Sequence, residues 1–285
     1  MNKGFVIIAN DVESRRAAAA CAYSIKSSNR DSQVSMIVPN LKKVEHALEE
    51  PFDSIIELPF PLSSDRRAND WQLYWASPYE YTISVDAFTL IKKDLSTTWD
   101  YLIEHHDMCY GVNVNNFKGI PRHLLSDVYE NHKLVYVNSN AFYFKKNTDT
   151  ALDFFKMADP YMREWRDALK NSIKAEYVPL KYDSDLMHSV VLQGIGHENE
   201  VVPYTNSILE SIDMRTANRE FGHRLEDSWL EYLNVWPSKN AKVKIQNFAI
   251  TDILFYTDSK FLTEEIYNEH RDYFRYLQKE TNLVD

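Results

Sequence analysis

The segment Tyr79–Leu95, with the sequence YEYTISVDAFTLIKKDL, gives the clearest indication of how this chain folds. In its first half Tyr81, Ile83 and Val85 alternate with smaller polar residues, a pattern that predicts a short buried strand. Asp86 then stands at the carboxyl end of that strand, and open α/β sheets bind their ligands beyond such ends. The position makes Asp86 a candidate for substrate or metal contact, with the N-cap of a following helix as the alternative.

Three strands and two helices are expected before this segment. A continuous apolar run near the N-terminus is typical of a central parallel strand, and the alanine-rich stretch that follows favours a helix. The expected elements are a strand at Phe5–Ala9, a helix from Arg15 with Ser14 as its N-cap, a strand at Val34–Val38, a helix at Lys43–Glu50 and a strand at Ser54–Leu58. This alternation implies right-handed crossovers and a Rossmann-like, nucleotide-binding half.

The loop after the first strand lies where such a half binds its nucleotide. Asn10 and Asp11, with the preceding Ala9, are therefore candidates for contacting the base or the ribose. Both polar residues are also good turn formers, so a turn without a ligand explains them equally well.

Strands and helices continue to alternate after Asp86. The expected elements are a helix through Trp99 to His105, a strand near Met108–Val112, a polar loop at Asn113–Gly119, a strand within Leu134–Lys146, a helix at Thr148–Ala158, an acid-capped helix within Tyr182–Leu192 and a helix from about Thr263. We therefore expect an α/β protein.

The composition of the 285 residues excludes several functions. A net charge of -10 argues against broad affinity for nucleic acid, because phosphate contacts require Lys and Arg. The sequence contains no dinucleotide-binding glycine motif, no P-loop and no zinc-protease or serine-hydrolase motif, so a hydrolase is not predicted. Two cysteines and the lack of a long apolar run predict a soluble, cytoplasmic protein without a membrane partner.

The Asp86 segment resembles the strand-plus-acid segment of GT-A-type glycosyltransferases, in particular small transferase-like proteins of tailed bacteriophages. Further similarity lies in Leu134–Lys146 and Lys242–Tyr256. The resemblance implies a single GT-A domain with a Rossmann-like, mostly parallel mixed sheet flanked by helices. Residues 1–95 would form the nucleotide-sugar-binding half, 96–260 the acceptor half and 261–285 a C-terminal helix.

The family's divalent cation, Mn²⁺ or Mg²⁺, is held by Asp-x-Asp after this strand and by a His near the C-terminus. This chain has Asp86-Ala87-Phe88, and Phe255 matches the His. Hard cations need several oxygen ligands, so Phe88 and Phe255 argue against a metal, although Asp86 remains a candidate ligand. Basic residues could instead stabilise a diphosphate, and the candidates, each otherwise a solvated surface charge, are Arg15, Arg16, Arg66, Arg67, Lys92 and Lys93.

The resemblance also implies the site residues. The nucleotide-sugar donor is expected to contact Ala9, Asn10, Asp11, Arg15, Arg66, Arg67, Trp71, Asp86, Ala87 and Phe88, although aromatic residues at helical spacing such as Trp71 usually lie in the core. The acceptor is expected at Asn113, Asn115, Asn138 and Asn140; for the two in the loop, Asn113 and Asn115, bonds to the loop's own backbone are the alternative. Asp86 and Asp185 are the catalytic candidates, with Asp183 as the alternative to Asp185 and an N-cap as the non-catalytic explanation.

These features predict a glycosyltransferase that moves a sugar from a nucleotide-sugar to an acceptor hydroxyl. For a phage-encoded protein in the host cytoplasm, a hydroxylated or already glycosylated DNA base is a candidate acceptor. Phe88 and Phe255 favour the alternative, a degenerate GT-A protein that binds nucleotide or carbohydrate without turnover.

Overall fold

The computed structural model describes residues 2–61, 65–203, 208–215, 217 and 227–281. Its strands are β1 (Lys3–Ile8), β2 (Gln33–Val38), β3 (Ser54–Glu57), β4 (Tyr81–Val85), β5 (Thr89–Ile91), β6 (Met108–Gly111), β7 (Val114–Asn115), β8 (Asn138–Lys145), β9 (Ser211–Asp213), β10 (Val235–Ser238), β11 (Lys242–Ile245), β12 (Phe248–Ala249) and β13 (Ile253–Phe255). Its α-helices are α1 (Val12–Ser28), α2 (Leu73–Ala76), α3 (Ser96–His105), α4 (Val128–Asn131), α5 (Asp149–Arg163), α6 (Trp165–Ser172), α7 (Ser184–Ile195) and α8 (Glu264–Thr281). Two short 3-10 helices, Arg67–Gln72 and Arg122–Leu125, also contribute to the site.

A six-stranded sheet in the order β3-β2-β1-β4-β8-β6 forms the centre of the molecule. The first four strands in this order run parallel, and β8 is antiparallel to both of its neighbours. β1 and β2 are rich in apolar residues and are buried except at their first residue, as central parallel strands are. The carboxyl end of β4 therefore lies beside the amino end of β8, where the Asp86 N–H donates to the Asn140 carbonyl at 2.8 Å.

A four-stranded sheet in the order β5-β13-β9-β7 packs at the same edge. Phe255, at the end of β13, is in register with Thr89 of β5 on one side and Asp213 of β9 on the other. The Tyr256 N–H donates to the Phe88 carbonyl at 3.0 Å, which ties the chain after Asp86 to β13. This sheet therefore brings three distant parts of the sequence together at the end of β4.

Helices cover both faces of the central sheet. Alternate residues of a strand point to opposite faces, and those of β1 contact α1 on one face and the α5 and α7 layer on the other. Every residue from Ala17 to Ile25 of α1 is buried, because α8 packs over its outer side. The Tyr23 ring lies 5.3 Å from the Phe274 ring and 6.0 Å from the Tyr267 ring.

The predicted α/β fold class is confirmed, whereas two local predictions are wrong. The helix expected at Lys43–Glu50 is replaced by two 3-10 turns, Leu41–Lys43 and His46–Leu48. Neither turn has a buried residue, so no packed apolar face stabilises a longer helix there. The N-cap of α1 is Asp11, and Ser14 completes a capping box from the third helical position.

In the part of the chain that the structure describes, no helix combines the length and the apolar character that a membrane span requires.

Candidate functional site

Asp86 lies in the turn between β4 and β5 with its carboxylate fully buried. Its Oδ1 accepts the Phe88 N–H at 2.8 Å, which closes a turn, and no helix follows for Asp86 to cap. Its Oδ2 accepts a hydrogen bond from Arg66 Nη2 at 2.8 Å and another from Arg67 Nη1. Two guanidinium groups therefore share one carboxylate at the end of β4.

Arg67, the first residue of the 3-10 helix before α2, links Asp86 to the protein interior. Its Nε donates to Asp70 at 3.0 Å, and its Nη2 donates to the Ser139 carbonyl at 2.6 Å. The His188 ring lies 3.5 Å from the same Asp70 carboxylate. Burial alone would lower the pKa of Arg67, but Asp70 and Asp86 outweigh it and raise the pKa, so the group stays charged.

A second pair of buried aspartates is joined to the first through β8. Asp185, in the first turn of α7, accepts from the Ser139 N–H at 3.0 Å and from its hydroxyl at 2.7 Å. Arg122 reaches Asp185 at 3.1 Å and Asp213 at 3.0 Å. Arg215 Nη2 reaches the same two carboxylates at 2.9 and 2.6 Å. Two arginines thus bridge two aspartates here.

These charged side chains form one group, which we call the Asp–Arg cluster: Asp70, Asp86, Asp185, Asp213, Arg66, Arg67, Arg122 and Arg215. Asn140 connects its halves, because its side-chain oxygen accepts from Arg67 at 3.3 Å and its amide nitrogen lies 3.5 Å from Asp213. Four carboxylates face four guanidinium groups, so the formal charges cancel. Buried charges are tolerated in proteins when they are paired and hydrogen-bonded in this way.

The cluster keeps its carboxylates ionised. Burial alone would raise the pKa of Asp86, but Arg66 and Arg67 outweigh it and lower that pKa to about 2. Burial likewise opposes ionisation of Asp185, but Arg215 and Arg122 hold its pKa well below the usual range. Both acids are therefore fully ionised near neutral pH.

Phe88 and Phe255, at the expected metal-ligand positions, both lie beside guanidinium groups. The Arg66 guanidinium carbon lies 5.2 Å from the centre of the Phe88 ring, and that of Arg215 lies 4.8 Å from the centre of the Phe255 ring. The nearby carboxylate oxygens accept from these and neighbouring arginines, and among the described residues no three His, Cys, Asp or Glu side chains are grouped to hold a metal. The residues present therefore do not fit a divalent cation.

Solved structures of glycosyltransferases match nearly the whole chain. The galactosyltransferase LgtC, solved with donor and acceptor sugar analogs, is 13% identical with a TM-score of 0.52, over 94% of this chain and 95% of LgtC. Mouse xyloside xylosyltransferase 1 is 10% identical with a TM-score of 0.50, over 90% of this chain and 98% of the mouse protein. The chain has the GT-A fold.

The apo form of the glycosyltransferase GlyE of Streptococcus pneumoniae TIGR4 extends the likeness, at 9% identity and a TM-score of 0.52. The match covers 96% of this chain and 60% of GlyE, so the chain spans about three fifths of that protein. No protein-family model matches the sequence, and no curated protein does. At these identities the likeness establishes the GT-A fold alone.

Within the GT-A fold, the expected donor residues divide into two sets. Arg66, Arg67, Asp86 and Phe88 meet at the cluster, and Ala87 is buried between the last two. Outside the cluster, and still only predicted to bind the donor, lie Ala9, Asn10, Asp11, Arg15 and Trp71.

Most residues of the second set already have structural roles. Asp11 accepts the Ser14 N–H at 2.7 Å as the N-cap of α1, and Arg15 makes a bidentate pair with Glu45 at 2.9 and 3.0 Å. Trp71 is buried and stacks on Phe60. The side-chain oxygen of Asn10, by contrast, is buried with no hydrogen-bond partner among the described residues.

The other basic candidates for diphosphate contact also pair outside the cluster. Arg16 donates to the Leu262 carbonyl at 2.7 Å and to Glu264 at 2.9 Å. Lys92 donates to the Ala241 carbonyl at 2.7 Å and contacts His270, and burial lowers the pKa of Lys92 to about 7. Lys93 lies 3.9 Å from Asp252.

The four expected acceptor residues also fall into two pairs, one away from the cluster and one on β8. Asn113 donates to Glu210, just before β9, at 2.7 Å, and Asn115 donates to Asn113 at 3.0 Å, so both amides already have hydrogen-bond partners outside the cluster. Asn140 belongs to the cluster, and the buried amide nitrogen of Asn138 has no partner in the described part of the chain. Both side chains are buried, and contact of Asn138 or Asn140 with an acceptor stays a prediction.

Sequence reasoning did not identify Asp70, Arg122, Asp213 or Arg215. Asp213 ends β9 and Arg215 lies two residues beyond it, and the three residues of this strand are too few to show a strand pattern. Arg122 lies in a short 3-10 helix after a proline, and a basic residue in such a position does not by itself indicate a functional site. The one available signal was local: Asp213 and Arg215 are an acid and a base two residues apart just after the apolar Ile212.

Proposed function

We propose that this protein is a glycosyltransferase that moves a sugar from a nucleotide-sugar to an acceptor hydroxyl. The observation that carries the proposal is the Asp–Arg cluster, which lies at the carboxyl end of β4 and the start of α7 in a GT-A fold. Ligands of open α/β sheets bind at this edge. The likeness to LgtC, which was solved with donor and acceptor sugar analogs, supports the same class of donor and acceptor here.

Asp86 is assigned to the donor. Its carboxylate is ionised, and it sits at the strand end where the ribose or the sugar hydroxyls of a nucleotide-sugar would arrive. A buried carboxylate is a strong acceptor for hydroxyl groups. Replacing it should therefore weaken donor binding or turnover.

Asp185 is assigned to orienting the acceptor. Arg122 and Arg215 hold its pKa well below the usual range, and a carboxylate of such low basicity is a poor general base near neutral pH. Asn138 and Asn140 lie beside it on β8 and supply amide groups for sugar hydroxyls. The acceptor hydroxyl would then be positioned by Asp185 rather than deprotonated by it.

The test is release of nucleoside diphosphate from a panel of nucleotide-sugars, measured with and without candidate acceptors. We expect one donor to be consumed, and Asp86→Asn to lower the rate at least about tenfold, since it removes a charged hydrogen-bonding group. Asp100→Asn, on the exposed surface of α3, is the matched control and should react like the wild type. Consumption of no donor, or an unaffected Asp86→Asn variant, would contradict the proposal.

For the acceptor, we propose testing a hydroxylated or already glycosylated base of phage DNA, because of the resemblance to phage proteins. Hydroxymethylated oligonucleotides and free oligosaccharides would be compared with the donor found above. Since the net charge of -10 disfavours contact with the phosphate backbone, transfer to DNA should require a local contact with the modified base.

A second candidate function is binding of a nucleotide or carbohydrate without turnover. It is favoured by the complete pairing of the cluster, in which Asp86 and Asp185 are both neutralised by arginines. Stabilisation by a nucleotide-sugar in a thermal-shift assay, without any release of nucleoside diphosphate, would support this function over transfer.

A further inference from the structure

The arginines of the Asp–Arg cluster fall into two kinds. Arg67 and Arg122, the inner arginines, have side chains that are 12% and 13% exposed. Arg66 and Arg215, the outer arginines, are more open at 17% and 21%. The outer pair is also the pair that lies beside the rings of Phe88 and Phe255.

Each carboxylate that pairs with an outer arginine also pairs with an inner arginine. Asp86 accepts from Arg66 and also from Arg67, together with the Phe88 N–H. Arg67 therefore keeps Asp86 paired when Arg66 turns toward another anion. The cost of leaving a buried charge alone does not arise.

The same duplication occurs in the other half of the cluster. Arg122 bridges Asp185 and Asp213, at 3.1 and 3.0 Å, without help from Arg215. Asp185 also retains two hydrogen bonds from Ser139. Arg215 can therefore exchange a carboxylate for a phosphate while both aspartates remain paired.

A guanidinium group also has donors to spare. Arg66 contacts Asp86 through Nη2 alone, and within the described residues no hydrogen bond uses its Nε or Nη1. The Phe88 ring lies 5.2 Å from the guanidinium carbon and stabilises the group by a cation–π contact. A planar, pre-oriented guanidinium suits bidentate contact with phosphate.

We infer that Arg66 and Arg215 bind the diphosphate of the donor directly and replace the divalent cation, so that this protein binds its nucleotide-sugar without a metal. The inference rests on the proposed function, because it names the groups that hold that donor. The two phenylalanines become supports for arginines at the positions where metal ligands are expected. During transfer the same two groups stabilise the charge that develops on the leaving diphosphate.

Binding of nucleoside diphosphates tests this inference without requiring turnover or an acceptor. A calorimetric titration would use ADP, CDP, GDP, UDP and dTDP, first with EDTA and then with Mn²⁺. We expect the nucleotide that binds to do so equally well under both conditions. Arg66→Gln and Arg215→Gln should each weaken binding in EDTA about 10- to 100-fold, the effect of losing charge-assisted hydrogen bonds to phosphate.

Two controls separate binding from folding. Arg275→Gln removes an exposed arginine of α8 that pairs with Glu50, and it should bind like the wild type. Arg66→Lys retains the positive charge but lacks the planar guanidinium group. It should therefore bind more tightly than Arg66→Gln and more weakly than the wild type. Circular dichroism melting of the outer-arginine variants should show a folded protein, because the inner arginines still pair the carboxylates.

The outcomes distinguish this inference from the proposed function. Binding that requires Mn²⁺, or outer-arginine variants that bind as tightly as the wild type, would overturn the inference and leave glycosyl transfer standing. No binding of any nucleoside diphosphate under either condition would overturn both.

Discussion

Arg67 has a structural role that none of the other cluster arginines shares. It donates to two carboxylates, Asp70 and Asp86, and to the backbone of β8 at Ser139. Its removal leaves Asp70 without that guanidinium partner and removes a link between the 3-10 helix and the central sheet. The role of Arg67 is therefore to hold the site together rather than to contact substrate.

We predict that Arg67→Met lowers the free energy of unfolding by about 3–5 kcal/mol, the usual cost of breaking a buried ion pair. The matched variant is Arg66→Met, in which Asp86 stays paired with Arg67. Its free energy of unfolding should decrease much less. Urea unfolding at neutral pH measures both values. An equal decrease in the free energy of unfolding for the two variants would show that Arg66 and Arg67 contribute equally to stability.

A candidate site residue is predictable from the sequence when it directly follows a recognisable strand pattern. Asp86 follows five residues of clear alternation, and it lies where the pattern places it. Asp213 ends a strand of only three residues, Arg215 lies just beyond that strand, and Arg122 reaches the site from a 3-10 helix. Their meeting with Asp185 depends on tertiary contacts that no local pattern encodes.

At the scale of elements, Gly111 sets the spacing between the two sheets. It ends β6, where the register with β8 shifts, and a Cβ built on it would lie 2.5 Å from the Leu209 carbonyl oxygen. Leu209 precedes β9, which ends in Asp213. Any side chain at position 111 therefore pushes on the chain that leads into β9, the strand that carries Asp213.

We predict that Gly111→Ala lowers the free energy of unfolding by about 1–3 kcal/mol, because backbone must move to relieve the overlap. Gly194→Ala, in α7, is the control, since the nearest atom to its added Cβ is 3.9 Å away. Thermal unfolding followed by circular dichroism compares the two. An unchanged melting temperature for Gly111→Ala would contradict the close approach described for this strand.

Most long elements are predictable from the sequence, and the exceptions have physical causes. β1 ends in a continuous apolar run, β4 alternates apolar with polar residues, and α1 combines an alanine-rich sequence with a capping box. The segment Lys43–Glu50 has good helix formers but buries none of the residues in its two 3-10 turns. Propensity alone does not hold a helix that short in water.

At the scale of the whole molecule, the cluster makes stability depend on pH. The pKa of Asp86 is lowered to about 2 in the folded state, so an ionised Asp86 stabilises the fold above the pKa of the unfolded chain. As the pH falls below about 4 the unfolded state takes up the proton first, and this stabilisation is lost progressively. Asp185, whose pKa is also lowered, acts in the same direction.

We predict that the free energy of unfolding is nearly constant from about pH 7 to pH 5 and then falls, with about 2 kcal/mol of the decrease due to Asp86. Urea unfolding at a series of pH values measures it. In Asp86→Asn this part of the decrease should be missing. The free energies of unfolding of the wild type and the variant should therefore approach each other as the pH falls to 2. A stability difference that is independent of pH would contradict the lowered pKa.

The balance of charges in the Asp–Arg cluster also determines how a donor reaches it. Four aspartates and four arginines cancel, so the cluster produces little field at long range, while the whole chain carries -10 and repels anions. A nucleotide-sugar is therefore not steered toward the site, and is captured only after diffusion brings it within reach of the outer arginines. Because salt screens the long-range repulsion, the association rate should rise with ionic strength, the reverse of what a positively charged cleft produces.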